Sequence, residues 1–309
     1  MGEEKMKEPI LELKEISVAN GDQTVLHPIS LTLQAGHRLA IAGETGSGKS
    51  TLLKAMAGLQ NLSGGTVWWK GKRVAEPWEK LVPGHPSIAY LSQHFELRNN
   101  YRVEEVLSYA EKISPGQAAE IYRICQVDHL LKRKTDQLSG GERQRIAMAR
   151  LLVGAPTVFL LDEPFSNLDT LHKHTMKEVM RDLGNSMQIT WVLVSHDPAD
   201  LLSWADELLL LKEGKSVQQG TPSELYFSPA DVYCAGLLGP YSSLAGELIR
   251  PASLQVVDVA GTPLTGLVQS TEFIGFGYLL QVELKDGAVL KLFHTESLPP
   301  GKQVGIQRR

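Results

Sequence analysis

Nine consecutive residues, Gly43-Glu44-Thr45-Gly46-Ser47-Gly48-Lys49-Ser50-Thr51, combine three glycines with a lysine and a run of hydroxyls. Glycines at this spacing let backbone N–H groups converge on phosphate oxygens, and a helix starting at Lys49 adds its positive N-terminal end. Lys49 then reaches the β- and γ-phosphates, and Ser50 meets Mg²⁺. The competing reading is a plain glycine-rich turn. The strand pattern before these residues and the helix pattern after them fit the phosphate-binding loop. A second segment, Val158-Phe159-Leu160-Leu161-Asp162-Glu163, runs four apolar residues into two acids. Charge at the end of a buried strand is costly unless a cation lies beside it. Mg²⁺ at the phosphates meets that cost: Asp162 would hold the ion through water, and Glu163 would polarise an attacking water as general base. Alone, the pair reads more readily as solvated charge at a helix N-cap; the phosphate loop reverses that toward the metal.

Elements that could position these groups follow from the apolar pattern. Val-, Ile- and Leu-rich runs without polar alternation at residues 38–42, 88–91, 157–161 and 190–195 read as buried parallel strands. Helical patterns at 49–57, 103–112, 116–125, 140–152 and 169–183 alternate with them, which indicates an α/β sheet. Residues from about 94 to 150 hold helices and no good strand, so a helical insertion is expected there. Residues 24–33 and 66–74 alternate polar with apolar and predict an antiparallel flank. Composition shifts near Gly239-Pro240, after which short β-type runs at 264–269, 278–284 and 289–293 predict a small all-β domain over 240–309 behind a first domain of 1–239.

Composition narrows the function classes. The chain has 309 residues, room for about two domains. With 31 basic against 35 acidic side chains, it offers no general cationic field for nucleic acid or an anionic membrane. Cys125 and Cys234 stand in no metal or redox spacing, which suits a reducing cytosol. No stretch reaches the roughly 18 apolar residues of a membrane span, so any membrane connection is expected to run through a partner.

Leu138-Ser139-Gly140-Gly141-Glu142-Arg143-Gln144 resembles the signature of ATP-binding cassette (ABC) proteins, although by itself it reads as an ordinary capped helix start. The resemblance extends from Ile10 to about Phe227 and implies the P-loop ABC ATPase fold, with ATP and Mg²⁺ as cofactors. It implies that Ser139, Gly140, Gly141 and Glu142 meet the ATP held by the opposite protomer of a head-to-tail homodimer. Gln93 matches the glutamine that touches Mg²⁺ and the attacking water, and His196 the histidine at the γ-phosphate. Ser166-Asn167-Leu168-Asp169 matches the loop crossing the dimer interface. The family's aromatic residue that stacks on adenine falls at Asn20, which has no ring, so weak base binding is expected. The tail, with Ile249-Arg250-Pro251, Phe273-Ile274-Gly275 and Lys285-Asp286-Gly287, resembles the oligonucleotide-fold-like accessory domain of import ATPases. The implied function is the ATP-hydrolysing, energy-coupling subunit of an importer. It would be peripheral at the cytoplasmic face of the membrane and act on integral permease subunits, with a solute-binding protein outside. A polyamine or ferric-type cargo is favoured, and no nucleic acid is expected. The contrasting reading is a soluble ABC-type ATPase acting on nucleic acid or ribosomes. His172 and His174, two apart on a helix and so on different faces, are expected at the solvated surface. Of Trp68 and Trp69, one is expected in the core and one outside.

Overall fold

A computed structural model describes residues 9–93, 97–166, 168–260 and 262–309. The chain packs as two compact units, Met1–Gln219 and Gly220–Arg309.

In the first unit the strands are β1 (Leu11–Asn20), β2 (Gln23–Leu33), β3 (Arg38–Ala42), β4 (Gly64–Trp69), β5 (Lys72–Arg73), β6 (Ile88–Leu91), β7 (Val158–Asp162), β8 (Thr190–Val194), β9 (Glu207–Lys212) and β10 (Lys215–Gly220). The central sheet runs β10-β9-β3-β8-β7-β6, with β3 and β6 to β9 mutually parallel. Every residue of β7 and β8 is buried, as strands covered on both faces require. Side chains alternate between two cores. Phe159, Leu161, Trp191 and Leu193 face the helices. Val158, Leu160, Val192 and Val194 face a four-stranded sheet of order β2-β1-β4-β5.

Pattern reading omitted β1. Its apolar pairs Leu11/Leu13 and Ile16/Val18 are out of phase, and a bulge restores them to one face: Glu15 turns to φ 52 and the register with β2 shifts between Leu13 and Ile16. Gly65 completes the bulge, because a Cβ there would lie 2.3 Å from the Glu15 carbonyl oxygen. It omitted β9 as well, since a four-leucine run has no period to separate strand from helix. Trp68 and Trp69 are both half-buried: Lys14 lies over Trp68, and the Trp69 indole donates to Thr157 Oγ1 at 3.0 Å while its ring joins the core. The expected split of one buried and one exposed ring is therefore softened.

Helices α1 (Lys49–Met56), α2 (Val103–Ser108), α3 (Pro115–Ile124), α4 (Gly140–Leu152), α5 (Thr170–Ser186) and α6 (Pro198–Leu202) complete this unit. The second helix stops short of the expected residue 112, at its cap Tyr109. From residue 97 to 152 the described segment carries only helices, 3₁₀ turns and one isolated bridge; His94, where the insertion was expected to begin, lies outside the described residues.

The second unit opens with α7 (Pro222–Phe227) and α8 (Val232–Leu237). A hairpin of β11 (Ser242–Leu244) and β12 (Glu247–Ile249) leads into β13 (Leu254–Val257), β14 (Thr265–Phe273), β15 (Tyr278–Leu284), β16 (Val289–His294) and β17 (Gln303–Arg308). These last five form an antiparallel sheet of order β13-β17-β14-β15-β16, whose two edges come together as in a small barrel. Packing divides the chain at Gly220, ahead of the composition shift at Gly239-Pro240. Arg250 gives the reason: its buried guanidinium donates to the carbonyls of Tyr226, Ala235, Gly239 and Pro240, tying both helices to the β domain.

Candidate functional site: a phosphate loop facing two strand-end acids

The loop from Gly43 to Gly48 joins the end of β3 to the start of α1. Two of its glycines are sterically required. A Cβ on Gly43 would fall 2.4 Å from the Leu211 carbonyl oxygen and 2.5 Å from Ser47 Oγ, and Gly48, at φ 98, would strike Leu26. Gly46 also has a positive φ, of 84, but faces open space. Glu44, Thr45 and Ser50 are exposed and Thr51 half-buried, while the Ser47 hydroxyl is buried. Helix α1 has no acid in its own first turn, and no side chain caps it at Gly48. The Lys49 ammonium arches back over the loop, donating to the carbonyls of Gly43 at 2.8 Å and Glu44 at 2.7 Å. Burial pulls its pKa below the usual lysine value, and the carboxylates of Glu163, Asp162 and Glu44 oppose that shift.

Asp162 ends β7 and is buried. Its two oxygens have separate donors, Ser50 Oγ at 3.1 Å on Oδ1 and the Tyr90 hydroxyl at 2.8 Å on Oδ2. Burial is the larger cause, with the Asp162 charge behind it, of a Tyr90 pKa raised well above that of a free phenol. Glu163 follows with φ 48, a left-handed conformation rare outside glycine, held by its N–H donating to the Val194 carbonyl at 3.1 Å. That turn aims its carboxylate at Gln93, whose Nε2 donates at 3.5 Å, and at His196, whose Nδ1 lies 3.5 Å away. Lys49, Ser50, Asp162, Glu163, Gln93 and His196 thus gather at the C-terminal ends of parallel strands, where open α/β sheets bind ligands.

Ser139, Gly140, Gly141, Glu142 and Asp169 form a second constellation. Ser139 Oγ accepts from the Glu142 N–H at 3.3 Å while Glu142 Oε2 accepts from the Ser139 N–H at 2.8 Å, a closed capping box at the start of α4. That backbone donor is the first reason why the Glu142 carboxyl sits below its usual range. Asp169 caps α5, accepting from the His172 N–H at 2.9 Å, and its other oxygen lies 2.8 Å from His172 Nδ1. His172 stays at the surface as expected, with 38% of its side chain exposed, but its ring is half-covered and so close to Gly141 that a Cβ there would lie 2.7 Å from Cδ2. The two helix starts are therefore packed together through His172. His174 is exposed, as expected. Asn167 lies outside the described residues. Asn20 is exposed beside the β1–β2 turn, paired with Gln23.

Several contributors escaped the sequence reading. Tyr90 is one, and its signal was present: it is the single polar-tipped side chain in an apolar strand. Gln144 is buried and donates to the Pro164 carbonyl, tying α4 to the turn after Glu163. Lys173 and Lys177 of α5 reach Asp200 at 2.9 and 2.6 Å, and Lys173 reaches Asp197 at 2.5 Å, bracketing His196. Nothing in residue spacing announces that bracket.

The phosphate loop fits a nucleotide phosphate: a lysine and the start of a helix lie together there, and Gly43 and Gly48 stand where a Cβ would clash. Ser50 and Asp162 are hard oxygen donors suited to Mg²⁺. Among the described residues no group of three or more His, Cys, Asp or Glu could hold a metal ion. No helix among the described residues is long and apolar enough to cross a membrane.

Comparison with known proteins gives a family match over residues 26–166, to the model described as ABC transporter. The chain is 33% identical over 288 residues to the sulfate/thiosulfate import ATP-binding protein CysA of Mycolicibacterium paratuberculosis, an alignment covering 87% of this chain and 78% of that protein. It is 34% identical over 263 residues to the spermidine/putrescine import ATP-binding protein PotA of Haemophilus influenzae, covering 83% and 70% respectively. Among solved structures, cbiO1 from Clostridium perfringens, part of the ABC transporter complex cbiONQ, superposes with a TM-score of 0.63 at 25% identity. That match covers 71% of this chain and 91% of cbiO1.

Proposed function

The chain belongs to the ABC transporter family as an ATP-hydrolysing subunit of an import system, and from that premise we propose how its residues divide the work. The backbone of residues 43–48 and the Lys49 ammonium bind the nucleotide's phosphates. For Lys49 this means exchanging its two carbonyl partners for phosphate oxygens. Mg²⁺ bound with the nucleotide would be held by Ser50 and Asp162, and would supply charge neutralisation at the phosphate oxygens. Glu163 accepts a proton from the attacking water, Gln93 orients that water, and His196 donates to the γ-phosphate. Gln93 and His196 already converge on one oxygen of the Glu163 carboxylate. Ser139 to Glu142 and Asp169, at the capped starts of α4 and α5 with Ser139, Gly140 and Asp169 exposed, serve the ATP of a second copy of this chain.

The single observation carrying this reading is the hydrogen bond from Ser50 to Asp162. It joins the helix start that binds phosphate to the strand end that carries the general base. Permease subunits in the membrane are the proposed partners, with the chain peripheral on the cytoplasmic side and a solute-binding protein delivering cargo from outside. For the cargo we propose a small ion, the class that the names of both import relatives carry. The β-rich second unit is proposed as the oligonucleotide-fold-like accessory domain.

Glu163→Gln tests the assignment. It keeps size and hydrogen bonding but removes the base, so hydrolysis should fall by roughly 10²- to 10⁴-fold. ATP binding should persist, and an ATP-closed dimer should appear on size-exclusion chromatography. Near-normal turnover would remove Glu163 from the role.

A further inference from the structure

We propose that Tyr90 is a positioning residue for the metal site: its phenol O–H holds Asp162 Oδ2, so that Oδ1 and the Ser50 hydroxyl are presented together to the nucleotide-bound divalent cation. The proposal rests on the reading that Ser50 and Asp162 hold that cation. Strand register places the phenol. Tyr90 of β6 pairs with Leu160 of β7, and Asp162 lies two residues further along β7, on the same sheet face as Leu160. The Tyr90 ring packs into the core beneath that face and its hydroxyl spans the gap to the carboxylate at 2.8 Å.

On the other side of β7, Asp162 is in register with Val194, whose side chain is apolar. Asp162 is 5% exposed, so water alone cannot satisfy it. With one donor on each oxygen, the carboxylate plane is fixed before any cation binds. Without Tyr90, a buried oxygen loses its partner and the group is free to turn about its side-chain torsions. That freedom matters most to Mg²⁺, which demands near-ideal octahedral geometry, and least to Ca²⁺, which accepts irregular coordination. At neutral pH a phenol carries its proton, so Tyr90 acts as a donor throughout.

The test uses the full chain and a fluorescent ATP analogue, titrated in Mg²⁺, in Ca²⁺ and in EDTA. Tyr90→Phe should weaken binding about tenfold in Mg²⁺, the size expected for a hydrogen bond to a charged group. In EDTA it should bind as wild type does, and in Ca²⁺ the loss should be markedly smaller than in Mg²⁺. Tyr90→Met, which fills the space without a hydroxyl, should behave the same way and guards against a packing artefact of the first variant. Unchanged affinity in Mg²⁺, or equal loss in all three conditions, would overturn the positioning role. Asp162→Asn separates this failure from that of the underlying reading. If Asp162→Asn abolishes the Mg²⁺ dependence while Tyr90→Phe is silent, only Tyr90 is removed. If Asp162→Asn retains it, the metal site itself is misplaced and the proposal falls with it.

Discussion

Asn20 departs from what the family resemblance implies, and Glu163 from what its backbone conformation favours. Asn20 stands exposed where the family resemblance implies a ring stacked on adenine. Aromatic stacking on a base contributes about 1–3 kcal/mol in nucleic-acid systems, or roughly 5- to 150-fold in affinity. The expected outcome is that wild type binds ATP mainly through phosphates and discriminates poorly against GTP, and that Asn20→Tyr gains ATP affinity within that range. Dissociation constants for both nucleotides decide it; unchanged ATP affinity in the variant, beside strong ATP preference in wild type, would sink the idea. Glu163 holds its left-handed φ of 48 against a typical cost of about 1–3 kcal/mol. The Val194 carbonyl anchors its N–H. Glycine would relax that backbone, but it would delete the carboxylate on which Gln93 and His196 converge.

Between elements, the decisive link joins α5 to the segment carrying His196. Lys173 and Lys177 grip Asp197 and Asp200, and Ser195 Oγ donates to Asp200 Oδ2 at 3.1 Å. Asp200 is 1% exposed, so Asp200→Asn leaves two lysines short of a buried acceptor charge. A destabilisation of about 1–3 kcal/mol is expected, lowering Tm by roughly 2–10 °C in a unit of this size. Hydrolysis should fall further than stability alone explains, because His196 loses its bracket; calorimetry together with ATPase assays measures both. Lys173's hydrogen bond is the chief cause of a depressed Asp197 pKa. A depressed carboxylate contributes stability that is fully present above its unfolded pKa of about 3.9 and is lost as pH falls through the folded value. Charge-neutral Asp197→Asn should therefore flatten the Tm–pH curve below about pH 4, as scanning calorimetry across that range would show.

At the scale of the whole molecule, the proposed function divides the chain into two half-sites. The phosphate loop and strand-end acids form one; the starts of α4 and α5, with their capping bonds satisfied internally, form the other. If each completes the other's partner across a two-fold axis, Lys49→Ala and Ser139→Arg homodimers should both be inactive. Mixed one to one, they should recover up to roughly a quarter of wild-type hydrolysis, because half the dimers are mixed and each has one intact site. ATPase rates across mixing ratios check this. Failure to recover any activity, despite demonstrated mixed dimers, would count against the composite site, as would full per-chain activity in a verified monomer.

The residues alone determined what contiguous backbone can decide. The phosphate loop, the capped helix start at Ser139 and four of the five parallel strands were legible because glycine conformations, helix caps and continuous apolar runs are short-range properties. The family resemblance supplied roles for Gln93, His196 and Asp169 that spacing could not. Tertiary structure decided everything that depends on which strand lies beside which. Tyr90 reaches Asp162 only because β6 pairs with β7, and Ser50 meets it only because β7 ends opposite α1. The bulge at Glu15, with Gly65 beneath it, hid β1 from period counting, and Arg250 set the division of the chain at Gly220. Such contacts join residues far apart in sequence, and their geometry comes from sheet order and packing, which no local pattern encodes.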